Sequence, residues 1–174
     1  MMFCCFSISV SVNSWCLSVL VVNDFFSNLI LALWGAPVKQ QDIEAHVKPI
    51  SAETDRVAKQ VVDAAFSVHS GLGPGLLESI YETCLAHELT KRALKVERQV
   101  VLPVIYDSLH LDAGLRLDVV VADCVVVELK AVASLLPVHK AQLLTYLKLS
   151  GYRLGLIINF NVPVIKNGIV RMAL

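Results

Sequence analysis

The segment Leu115–Val132 reads LRLDVVVADCVVVELKAV, and it limits the fold more tightly than any other part of the chain. Two valine-rich runs flank a short break at Ala122-Asp123-Cys124, the pattern of a buried β-hairpin. Within that dry segment lie Asp118, Glu128 and Lys130. An ionised carboxylate buried without a partner is expensive, and the usual escapes are a neutral form, an ion pair or a metal.

The length of the turn decides which escape is open. Side chains alternate along a strand, so Glu128 and Lys130 share a face while Leu129 points away. A two-residue loop at Ala122-Asp123 pairs Asp118 with Val127 and puts the two acids on opposite faces. A three-residue loop, Ala122-Asp123-Cys124, pairs Val121 with Val125 and sets Asp118 opposite Glu128; hairpins use both lengths. In the second register two like charges face each other, which is destabilising unless a cation bridges them. A hard divalent ion with oxygen ligands can do so. The plainer reading is an ordinary ion pair of Lys130 with either acid, which carries no chemistry.

The chain has 174 residues, enough for one domain with a real core. Its net charge is +0, with 15 basic and 15 acidic residues, so no overall field points to nucleic acid and any such partner needs a local surface. Five cysteines, Cys4, Cys5, Cys16, Cys84 and Cys124, show neither a CxxC pair nor finger spacing. They read as reduced thiols, and the expected location is cytoplasmic.

Hydrophobic residues make up 56% of the chain, and the excess sits at one end. Residues 1–38 carry one charged side chain, Asp24. A signal peptide lacks its positive n-region here. A membrane anchor over residues 15–35 has the length, but Asn23, Asp24 and Asn28 fall mid-span, where Asp costs about 2.5–3.5 kcal/mol. We therefore read residues 1–50 as an atypical apolar extension and linker, as from a start assigned too far upstream, ahead of the anchor reading.

The domain is expected over residues 51–174. Ser51 caps a helix with Val57, Val61, Ala64, Ala65 and Val68 at helical spacing, and Gly71 is expected to end it before a Gly73-Pro74-Gly75 turn. A second helix is expected from about Gly75 to Leu94, with Leu76, Leu77, Ile80, Tyr81, Cys84, Leu85 and Leu89 as its apolar stripe. VERQVVLPVIY, LHLDAGLRLDVVV and CVVVELKAV read as strands, PVHKAQLLTYLKLSG as a helix, and RLGLIINF and GIVRMAL as strands. The order is α-α-β-β-β-α-β-β, an α/β domain.

LDVVVADCVVVELK resembles the D-x(n)-E-x-K core of the PD-(D/E)XK nuclease superfamily. GLGPGLLESIYETCLAHEL resembles its GxxExxY family, through Gly75, Glu78 and Tyr81, and HKAQLLTYLKLSG and LGLIINFNVP resemble it too. Gln142 and Tyr146 match the Q-x-x-x-Y helix of RecB-like nucleases. The resemblance covers roughly Ser51 to Leu174, and Leu117 stands where the eponymous motif has its proline.

The resemblance implies a restriction-endonuclease-like core, a central mixed sheet flanked by helices, and metal-dependent hydrolysis of phosphodiester bonds. Asp118, Glu128, the Leu129 carbonyl and Glu78 would hold Mg²⁺ or Mn²⁺, with Lys130 completing the catalytic set. Gln142, Tyr146, Tyr81 and Gly75 would support the site or bind substrate. Tyr146 reads equally well as a core residue with a wet tip. The implied substrate is nucleic acid, DNA before RNA, and sequence-specific cutting would need a partner or a homodimer, since no recognition module is attached. A nuclease fold that binds nucleic acid or a protein without cutting is the alternative.

Overall fold

The computed structural model describes Leu20–Val21 and residues 49–174. Its strands are β1 (Leu20–Val21), β2 (Val96–Tyr106), β3 (Leu109–Val121), β4 (Val125–Lys130), β5 (Leu154–Asn159) and β6 (Ile169–Ala173). The helices are α1 (Ala52–Leu72), α2 (Glu78–Lys91) and α3 (Pro137–Ser150), with a 3-10 turn at Ile165–Gly168. Among the described residues the strands form one sheet in the order β1-β6-β5-β4-β3-β2. β4 and β5 run parallel, joined through α3, while β2–β3, β3–β4 and β5–β6 are antiparallel. The chain thus has the mixed α/β sheet of a PD-(D/E)XK-like fold.

The sheet is covered on both faces, which explains why β4 and β5 are continuous apolar runs. Val119, Val121, Val125, Val127 and Leu129 pack with the buried faces of α1 and α2. Val120 and Val126 pack instead with Leu143, Tyr146 and Leu147 of α3. α3 comes close enough to β5 that a Cβ on Gly155 would lie 2.8 Å from Leu143 Cδ1, so only glycine fits there without a shift.

α1 begins as its sequence suggests, with Ser51 Oγ accepting the Thr54 N–H at 3.1 Å. It ends later than expected. The helix continues through Gly71, and the positive-φ cap is Gly73 (φ 70). α2 starts at Glu78, not Gly75, because Gly75 sits at φ 98, outside helical space. Leu76, Leu77 and Ile80 are consequently exposed, Leu77 by 71%, and the buried face of α2 is Tyr81, Glu82, Leu85, Ala86 and Leu89. Tyr81, Leu85 and Leu89 recur every fourth residue and set the rotation of the helix, which turns Ile80 outward.

The expectations for residues 1–38 lie outside the described residues, save Leu20–Val21, which pair parallel with β6. Among the described residues no helix is long and apolar enough to cross a membrane.

Candidate functional site

The turn of the β3–β4 hairpin fixes everything downstream of it. Val121 pairs with Val125, Val120 with Val126 and Val119 with Val127. The loop is therefore Ala122-Asp123-Cys124, three residues, and the next step of the register sets Asp118 opposite Glu128. Ala122 and Asp123 both adopt left-handed φ, 48° and 52°, and the Cys124 N–H closes the turn on the Val121 carbonyl at 3.1 Å.

Asp118 is half-buried, and its Oδ2 accepts the Leu129 N–H at 2.9 Å. Burial pushes its carboxyl above the ordinary range, and the charges of Glu78 and Glu82 add to the shift. Glu128 is only 2% exposed. Its Oε1 pairs with Lys130 Nζ at 2.5 Å, while Oε2 is buried without a hydrogen-bond partner. Burial first, and the Asp118 charge second, raise the Glu128 carboxyl to about 7. Burial works against the Lys130 ammonium, but its bond to Glu128 and the charges of Glu128, Glu78 and Asp118 outweigh that and raise it.

Glu78 opens α2, whose N-cap, Leu77, offers no capping side chain. Its Oε2 accepts the Ala131 N–H at 3.1 Å, so the helix start is bolted to the residue after Lys130. Tyr81, one turn on, is fully buried. Its hydroxyl donates to the Gly73 carbonyl at 2.7 Å and accepts the Leu76 N–H at 3.1 Å. Its ring stacks on Phe160 with centroids 4.5 Å apart. The spacing Gly75, Glu78, Tyr81 thus has a local cause. Glycine permits the left-handed turn, glutamate docks the helix end, and tyrosine ties the turn back.

Gln142 and Tyr146 are brought together, Nε2 donating to the hydroxyl at 2.7 Å. Tyr146 belongs to the α3 core, and this pair bonds within its own helix. By strand alternation Glu128 and Lys130 share the face of Val126, which α3 covers.

Two neighbours escape a reading of the sequence. Glu82 is buried and joins Arg98 Nε and Gln99 Nε2, each at 2.7 Å, and it bears electrostatically on Asp118. Gln99 holds φ 52 at the ladder position that skips Asp118, between the Arg98–Val119 and Val100–Leu117 pairs. Asn159, 1% exposed, ends β5 in register with Lys130. A lone amide ending the dry run LGLIIN is the only signal the sequence offers for it, and its partners are not encoded locally.

Among the described residues no group of three or more His, Cys, Asp or Glu side chains is arranged to hold a metal ion. Two opposed carboxylates, one with an orphaned buried oxygen and both held toward the neutral form, still fit a small hard cation that keeps several waters. A family model described as the PD-(D/E)XK nuclease superfamily matches residues 55–172. Neither the curated proteins nor the solved structures give a match.

Proposed function

The chain belongs to the PD-(D/E)XK nuclease superfamily, which generally hydrolyses phosphodiester bonds, and from that premise we propose that it is a divalent-metal-dependent nuclease acting on DNA before RNA. The observation that carries the reading is the Asp118–Glu128 pair: opposed acids, one oxygen of Glu128 orphaned, and Lys130 alongside. Nucleases of this superfamily typically use divalent metal ions. Asp118 and Glu128 would hold Mg²⁺ or Mn²⁺, with the Leu129 carbonyl and Glu78 as further oxygen donors. When bound, such an ion lowers the pKa of a coordinated water and offsets charge on the phosphate.

The protein's own groups do the rest. Lys130 stays cationic because three acids surround it, and its side chain is 14% exposed, enough to meet solvent. There it orients the attacking water and stabilises negative charge growing on the phosphate. The Leu129 N–H holds Asp118 in place, leaving its other oxygen for the ion. Gly75 and Tyr81 shape the turn that delivers Glu78, the basis for placing the chain in the GxxExxY family. Gln142, beside Tyr146, is the polar group of the RecB-like helix and would reach substrate phosphate. A cytoplasmic location suits Cys84 and Cys124, both free thiols.

A screen of single- and double-stranded DNA and RNA, with and without Mn²⁺, tests the proposal. Cleavage should require the metal and fall by about 10²–10³-fold in Lys130→Ala. Metal-dependent cleavage at the wild-type rate by clean Lys130→Ala protein would count against the mechanism. A second reading, a nuclease fold that binds nucleic acid or a protein without cutting, draws on the lack of a ready three-ligand cluster among the described residues. Calorimetry showing nucleic-acid binding but no divalent-metal site would favour it.

A further inference from the structure

β4 and β5 end side by side, with Lys130 in register with Asn159. Beyond this point the Phe160 N–H still donates to the Lys130 carbonyl at 2.8 Å, and then the ladder stops. The Asn159 side chain takes over. Its Oδ1 accepts the Val132 N–H at 3.1 Å and the Asn161 N–H at 3.2 Å, and its Nδ2 donates to the Val132 carbonyl at 2.8 Å. The amide's orientation follows from this network, since two backbone donors and one acceptor can be met in only one way. Between the residue it pins and Lys130 lies Ala131, whose N–H donates to Glu78. The Lys130–Ala131 peptide unit is thus fastened on one side by β5 and on the other by α2, and the two units flanking Val132 are fastened by the Asn159 side chain.

We propose that Asn159 is a positioning residue of the site: by pinning Val132 it aims the Ala131 N–H at Glu78 and so fixes Glu78 and Lys130 relative to each other. Its chemical consequence rests on the nuclease reading above; its structural part does not. The segment needs such a pin because Ala131–Leu136 is the open connection to α3, with no strand partner of its own. A buried amide satisfied through both its oxygen and its nitrogen rigidifies the backbone it holds.

The test uses the full chain with Asn159→Ala and Asn159→Asp, read by amide hydrogen exchange and by steady-state cleavage with Mn²⁺. Asn159→Asp keeps both accepting contacts but turns an oxygen instead of a donor toward the Val132 carbonyl, so it too should release Val132 and speed Ala131 exchange. In Asn159→Ala the Ala131 amide should exchange at least about tenfold faster, while Val126 and Ile157 in the core keep their protection. The kcat should drop about 10–100-fold with KM moving far less, and most of that loss should disappear in a Glu78→Gln background. The proposal is overturned if Ala131 stays as protected as in the wild type. It is equally overturned if core amides lose protection in step, or if the losses from Asn159→Ala and Glu78→Gln simply multiply. Should the wild type not cleave, the nuclease reading fails, and Ala131 exchange still decides the role of Asn159. Should Asn159→Ala not fold, Asn159→Asp carries the same measurements.

Discussion

Two lysine–carboxylate pairs flank the β3–β4 hairpin, one at each end, and they have little in common but their chemistry. At the turn Lys95 meets Asp123 at 2.9 Å, both side chains 58% exposed. At the far end Lys130 meets Glu128 at 2.5 Å, with Glu128 sealed from solvent. Water screens the first pair, and it is an ordinary surface contact. Burial denies the second that screening, raises the Glu128 carboxyl to about 7 and leaves Oε2 unpaired. Distance alone does not set the two pairs apart; the dielectric around each and the orphaned lone pair do.

The contrast is broken most completely by changing the turn. Deleting Asp123 shortens the loop to two residues, and a one-residue slip sends every side chain of a strand to the other face. We expect loss of Mn²⁺ binding and of cleavage together with severe destabilisation, seen by circular dichroism and calorimetry. A deletion variant that still binds Mn²⁺ would refute the role given to the register. Next in size, Lys130→Ala should lower cleavage by about 10²–10³-fold, the scale of removing one preorganised charge-stabilising group. Lys95→Ala, its counterpart at the turn, should leave the rate unchanged in the same assay.

The pH dependence of stability offers a smaller but sharper comparison. The Glu128 carboxyl lies at about 7 in the folded protein against an ordinary 4.5. Between these values the folded state holds a proton that the unfolded state has lost, so stability falls as pH rises through the window and levels off above it. Asp118, also raised, adds to the same slope. Thermal unfolding in metal-free buffer should therefore show a Tm that declines from about pH 5 to about pH 8. Glu128→Gln should remove most of that decline. Mn²⁺, which takes the deprotonated acids, should raise Tm most at the alkaline end. A metal-free Tm that rises over this range would contradict the shifts.

What the sequence discloses depends on how local the cause is. The strand limits of β2 and β3 follow from alternation, but the sequence leaves a two- or three-residue turn open, and only the Val121–Val125 pairing decides for three and sets Asp118 opposite Glu128. The start of α2 is misplaced because three apolar residues before and after Glu78, Leu76, Leu77 and Ile80, imitate a stripe, while the left-handed backbone of Gly75 overrules them. Asn159 escapes notice because its partners arrive through a parallel pairing that spans the whole of α3, which no local pattern encodes. Glu82 escapes it because a buried acid on a helix is recognisable only by knowing that Arg98 and Gln99 meet it. Tyr146 can be read two ways from its helix, and its neighbours Val120, Val126 and Leu143 place it in the core.

On this reading the hairpin presents Asp118 and Glu128 as a cation site. Calorimetric titration of Mn²⁺ into the metal-free protein at about pH 6.5, in two buffers of different ionisation enthalpy, addresses it directly. The expected result is one site per chain, proton release as Glu128 gives up its proton, and at least about tenfold weaker binding in Asp118→Asn. No binding by the wild type, or binding that Asp118→Asn leaves unchanged, would contradict it.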